Sequence, residues 1–278
     1  MSDYSSLCAE VGSAVDCALN DPSSAVDPPR PTEVPLSRIQ RLIAGRMLAS
    51  KRSKPCFYLA ARADVTDLMA MRHTLSKALG VKVTSNAFLI HALALAAGEY
   101  PLMVGRFVWT SADSVESLDG DGQAPPSQTP EAEAVIEIAE AVNVGFAVNG
   151  AQGLIAPVIR HAHEKSLGQI AREEKLLTDK VRGNKLTLDD LDGQTIGLSN
   201  LGAFDIDSFI GIVPPAASTI LAVGKVSLAA VPRDGRAVAR KMMSLSLAVD
   251  HRVVQPDYAA RFLQSLTQRL ETPQKLVD

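Results

Sequence analysis

Apolar positions along the chain change their period several times, and each change marks an element. From Ser37 onward, Ile39, Leu42, Ile43 and Met47 recur at three- and four-residue spacing, which predicts a helix with Ser37 as its N-cap. "CFYLAARADV" alternates and predicts a strand; Thr66 then caps a helix that runs to about Leu79 and ends at Gly80. "NAFLIHALALAAGEY" is apolar on nearly every face, so its helix should be buried. "AVNVGFAV" and "GLIAPVI" predict a strand pair joined by "NGAQ". Ser166 opens a helix with Ile170, Leu176, Leu177 and Val181 on one side. "TIGLS", "STILAVGKV" and "KMMSLSLAV" read as strands, the last alternating Leu245, Leu247 and Val249 with Ser244, Ser246 and Ala248. Pro256 suits a first helical position, with Asp257 in the first turn, and that helix should bury Phe262, Leu263, Leu266 and Leu270. Segregated strands and helices predict an α+β fold, a two-layer sandwich of mixed sheet and helices.

Two stretches lack any period. Residues 1–34 end in "DPSSAVDPPRPTEVP", an extended Pro-rich linker, so the folded domain is expected over 35–278. Residues 111–133 are rich in Ser, Asp, Gly and Pro and read as an acidic surface loop.

Composition narrows the classes without choosing one. Of 278 residues, 46% are hydrophobic and 21% charged, as in ordinary globular proteins. A net charge of −3 with no basic tract argues against a nucleic-acid partner. No apolar run has the length of a membrane span. The acidic amino terminus has neither the charged start of a secretory signal nor an Arg-rich transit character, and Cys8, Cys17 and Cys56 have no metal-ligand spacing. Reduced thiols and a cytoplasmic location are therefore expected.

The familiar phosphate-cradling patterns GxxxxGK[ST] and GxGxxG are absent. Ser199 in "GLSNLG" does not sit in a GxSxG nucleophile elbow. His161 and His163 in "RHAHEKSL" lack further ligands, so a solvated turn is the reading there, with no metal. In "AVDHRVV", Asp250 and Arg252 read as structural partners on either side of His251.

An ordered series of stretches gives these residues a context: "RLIAGRM", "DVTDLMAMR", "VNVGFAV", "GLIAPVIRHAHEKSL", "LSNLGAFDIDSF", "STILAVGKV" and "LSLAVDHRVV". From about Pro35 to the C-terminus the chain resembles the acyltransferase catalytic domain of the 2-oxoacid dehydrogenase complexes, the dihydrolipoamide acyltransferase or E2 component. That resemblance implies the chloramphenicol acetyltransferase-like fold, with coenzyme A as a substrate and no tightly bound cofactor. It also implies a trimer, or a larger assembly of trimers, whose sites lie between subunits. The family's active-site histidine falls on His251, its serine or threonine on Ser199, 52 residues earlier (251 − 199 = 52), and an arginine that helps hold coenzyme A on Arg72. Chemically, an imidazole near its natural pKa can take a thiol proton, and a hydroxyl can steady the oxyanion of a thioester under attack.

Several features depart from the family pattern, among them "YPLMVGRF", where the family commonly has an asparagine near Val104. Gln255 stands where the family carries Asp or sometimes Asn, and it offers hydrogen bonds without charge. Pro256 replaces the following Gly, and Asp257 is two positions too far on to substitute for the carboxylate. No lipoyl or subunit-binding module is readable in residues 1–34, so a lipoylated carrier or other dehydrogenase-complex subunits are expected as partners in trans. The implied activity is acyl transfer between coenzyme A and a dihydrolipoyl or other thiol group. The alternatives are a non-catalytic core protein of a dehydrogenase complex and a stand-alone small-molecule acyltransferase.

Overall fold

A computed structural model describes residues 34–36, 38–110, 134–150, 153–233 and 235–277. The expected linker, apart from its last residue, and the acidic loop at 111–133 lie outside the described residues. Arg38–Asp278 forms one body.

Its frame is a six-stranded mixed sheet. In chain order the elements are helix α1 (Arg38–Ser53), strand β1 (Cys56–Asp64), α2 (Thr66–Ala78), α3 (Ser85–Glu99), β2 (Gly105–Trp109), β3 (Ala134–Ile138), β4 (Val144–Phe146) and β5 (Val148–Gly150). There follow β6 (Gly153–Ile155), β7 (Val158–Ile159), α4 (Leu167–Arg182), β8 (Ile196–Asn200), β9 (Thr219–Arg233), β10 (Arg236–Asp250) and α5 (Pro256–Glu271). The sheet order is β1-β10-β9-β8-β4-β7, with β8 parallel to both β4 and β9 and the other pairings antiparallel. This is the expected α+β sandwich.

One face of the sheet carries the main core. Leu198, Leu221 and Leu247 lie side by side on β8, β9 and β10, with Leu59 of β1 completing the row, and all four pack in the same cluster. The helices α3 and α5 cover that face with Phe88, Leu89, Ile90, Phe262, Leu266 and Leu270. Because strand side chains alternate, the neighbouring row Ser199, Ala222, Ser246 and Ala60 belongs to the opposite face. That row alternates serine with alanine, all small, and the chain's own core cluster does not include it.

Several sequence expectations change in detail. Thr66 is the first residue of α2 rather than its cap, since Val65 holds the N-cap place without a side-chain bond. Thr66 instead gives its backbone N–H and hydroxyl to Asp64 Oδ1, at 3.1 and 2.7 Å. The strand pair around "NGAQ" is broken in two: β4 and β7 join the large sheet, and β5 and β6 pair separately. Leu176 on α4 is exposed, while Ile170, Leu177 and Val181 are buried as expected. Strands β9 and β10 extend into a long hairpin whose outer halves bury no residue fully, and β2 pairs β3 in a separate ribbon.

Candidate active site

His251 follows the last residue of β10, where the chain turns toward α5. Its backbone N–H donates to the Pro55 carbonyl at 3.0 Å, tying the turn to the start of β1. The imidazole meets the Phe57 ring edge-on, with centroids 5.1 Å apart and planes at 64°. It is exposed, and it lines a cleft of about 420 Å³ together with Pro55, Cys56, Phe57 and Arg252.

The turn that carries the imidazole is held by its two neighbours. Asp250, 1% exposed, accepts from Arg252 Nε at 3.0 Å and Nη2 at 2.7 Å, and from the Arg252 backbone N–H at 3.1 Å. This two-pronged, charge-assisted pair is a stiff joint. Arg252 also lies over the Phe107 ring at 4.6 Å. The carbonyl of Asp250 receives the N–H groups of Val253 and Val254, closing the turn from below. So Asp250 and Arg252 are structural partners, as their positions in the sequence suggested.

A second brace reaches the same edge from α1. Lys54 Nζ donates to the carbonyls of Pro214, Pro215 and Ala217 at 2.6, 2.9 and 2.6 Å, and Ser50 Oγ donates to Val213 O at 2.6 Å. Burial lowers the Lys54 ammonium to about 8, against the pull of nearby Asp250. Burial first, and then Asp250, raises the Cys56 thiol above its ordinary value. Neither Lys54 nor Phe57 stood out in the sequence. For Phe57 the available signal was its alternation in β1, which sets it against Val249 two residues before His251.

The other candidate residues lie elsewhere in the same chain. Ser199 is near the end of β8, level with Ser246 through Ala222. His251 lies five residues beyond Ser246 and two strands across, so the two Cα atoms are about 19 Å apart by strand rise and spacing. They also belong to opposite sides: Ser199 on the small-residue face, His251 against Phe57 on the core side. Arg72 is exposed midway along α2, a helix that begins at the far end of β1 from Cys56. Gln255 is the N-cap residue of α5; it is exposed and makes no side-chain cap bond. Pro256 takes the first helical position, and Asp257 pairs with Arg261 at 2.6 Å rather than turning back to the cleft. His161 and His163 stack at 6.5 Å, and among the described residues no group of His, Cys, Asp and Glu gathers as a metal site.

With this geometry in hand, comparison with known proteins decides the family. The model of the 2-oxoacid dehydrogenases acyltransferase (catalytic domain) matches residues 28–117 and 126–277. The chain belongs to that family. The break in the match, 118–125, falls inside the acidic stretch. Among solved structures of this acyltransferase family, the dihydrolipoamide acetyltransferase (E2p) of Azotobacter vinelandii is 31% identical with a TM-score of 0.75, over 90% of this chain and 95% of that one. That structure was solved to define the roles of a serine, a histidine and an asparagine in its catalytic mechanism; the histidine follows the serine by 52 residues and the asparagine follows by four more. The cubic core of a pyruvate dehydrogenase multienzyme complex is likewise 31% identical with a TM-score of 0.75, over 93% of this chain and 98% of that one. The mouse (Mus musculus) pyruvate dehydrogenase protein X component is 32% identical over 250 residues, 88% of this chain and 45% of the relative. The chain spans about half the length of the curated relatives it matches.

Proposed function

We propose that this domain transfers an acyl group between coenzyme A and a dihydrolipoyl thiol, in a site that two copies of the chain build together. His251 of one copy takes the proton from the attacking thiol. The thiolate adds to the thioester carbon, and the Ser199 hydroxyl of the other copy donates to the resulting oxyanion. Collapse expels the second thiolate, which recovers the proton from the imidazolium. Base catalysis of this kind contributes about 10²–10⁴-fold, and an oxyanion donor about 10²–10³-fold.

The observation that carries this reading is the spacing. Ser199, His251 and Gln255 repeat the 52- and four-residue intervals of the Azotobacter enzyme's serine, histidine and asparagine. At the third position both chains offer an amide, so Gln255 keeps the chemical type with one more methylene. The separation of Ser199 from His251 within one chain supports a shared site, and the likeness to a cubic core supports an oligomer built by trimers. Arg72 is proposed for coenzyme A on the family's pattern alone. Any lipoyl group arrives on a carrier domain or a dehydrogenase-complex subunit.

The test is turnover with acetyl-, succinyl- and branched acyl-CoA against free dihydrolipoamide, wild type beside His251→Ala. Transfer by the wild type that the variant loses supports the reading; equal rates overturn it. Pro256 in place of the family's Gly favours a second reading, an assembling core without transfer. Symmetric particles inactive with every acyl-CoA would decide for it.

A further inference from the structure

We infer that Asn86 is a positioning residue that acts through Asn200 to hold Ser199 in its working place; this rests on the oxyanion role proposed for Ser199. Asn200 follows Ser199 at the end of β8 and lies on the core side, level with Val223. Its side-chain amide is fixed at both ends. Nδ2 donates to Asn86 Oδ1 at 2.8 Å, and Oδ1 accepts the Gly202 backbone N–H at 2.9 Å. Both asparagines are only half-buried, so the pair is not explained by the need to satisfy groups sealed from water.

What Asn86 stands on is rigid. It is the second residue of α3, whose interior carries ten buried residues. The N-cap Thr84 accepts from the Ala87 N–H at 3.0 Å and donates to the buried Glu174 of α4 at 2.7 Å. The start of α3 is thus pinned to a second helix, and Asn86 carries that fixed reference to the strand end.

What Asn200 holds has little room to move. Beyond it, Leu201 N–H donates to Val223 O at 3.0 Å, and Lys225 N–H reaches Ile206 O at 2.7 Å. The register of β9 against β10 shifts between Val223 and Val226, and the loop after Ser199 docks into that irregularity. A Cβ on Gly224 would stand 1.9 Å from Asp207 O, and one on Gly202 would stand 2.8 Å from Gly224 O. Packing this close converts a rotated Asn200 amide into a displaced backbone beside Ser199. A donor must be aimed at the place where charge develops, and a small misplacement far from the chemistry can cost up to about 10²-fold.

The bond direction supplies the test. Asn86 acts only as an acceptor, so Asn86→Asp keeps the contact, while Asn86→Ala and the volume-keeping Asn86→Leu remove it. With acetyl-CoA and dihydrolipoamide, both of the latter should lower kcat about tenfold at nearly unchanged KM, whereas Asn86→Asp retains most of the rate. In a Ser199→Ala background the same substitutions should cost nothing further, because the group they position is gone. Equal losses in both backgrounds, an unchanged kcat in Asn86→Leu, or Asn86→Asp as slow as Asn86→Ala would each overturn the inference while leaving Ser199's role intact. A Ser199→Ala protein with undiminished kcat would instead overturn the role of Ser199, and this inference with it.

Discussion

At the scale of single residues, His251 combines an exposed ring with an immobile backbone. The Pro55 carbonyl, the Phe57 edge and the Asp250–Arg252 pair fix the turn without occupying the imidazole's polar atoms in any described hydrogen bond. Replacing the imidazole should therefore remove a proton acceptor and little else. His251→Ala is expected to lower kcat by about 10²–10⁴-fold, with a melting temperature close to wild type. Breaking the joint beneath it should do the opposite. Arg252→Met leaves the 1%-exposed Asp250 carboxylate without its cation, which should lower stability by about 3 kcal/mol or more in chemical denaturation. Gln255 was legible as a departure from the family pattern and, with Pro256 at the first helical position, as the N-cap of α5; the fold adds that its side chain makes no cap bond.

At the scale of elements, legibility tracked burial. Helix α3 was readable because it is apolar on nearly every face, and α5 and the inner half of β10 because one surface of each is apolar and faces the core. The outer halves of β9 and β10 bury no residue fully, so no strong apolar alternation marks them in the sequence. The pairing of β2 with β3 across the acidic stretch is a long-range choice that no local spacing encodes. Leu176 misled because it has the right composition for the buried side of α4 at the wrong angle. One contact between elements carries a pH dependence. His91 on α3 donates from Nε2 to Leu276 O at 3.1 Å, in the 3-10 turn Pro273–Leu276 that follows α5, while its Nδ1 is buried with no partner among the described residues. Burial, with Arg269 adding to it and the Leu276 carbonyl opposing it, holds the imidazole below its ordinary 6.5. The unfolded chain therefore takes up this proton first, so the contribution is whole above pH 6.5 and is lost as pH falls from there toward the folded value. His91→Gln keeps a donor and does not titrate; its melting temperature should fall less than wild type between about pH 7.5 and pH 5.5.

At the scale of the whole molecule, the row Ser199, Ala222, Ser246 and Ala60 is the consequential feature. It puts the candidate hydroxyl on the sheet face opposite the core and about 19 Å from the candidate base, so one chain cannot close both on one thioester carbon. The sequence named both residues, but their separation depends on strand register and is invisible to spacing. A heterologous contact between copies is the arrangement that can unite them, one chain giving its His251 side and the next its Ser199 side. Complementation tests this directly. His251→Ala and Ser199→Ala chains, each poorly active alone, still hold the missing half of the other's site. In assemblies formed from equal amounts of the two, random mixing gives about a quarter of the sites both native groups, so activity should recover to about that share of wild type. If both groups served from one chain, no mixed site would be whole, and the mixture would stay at the level of the separate variants.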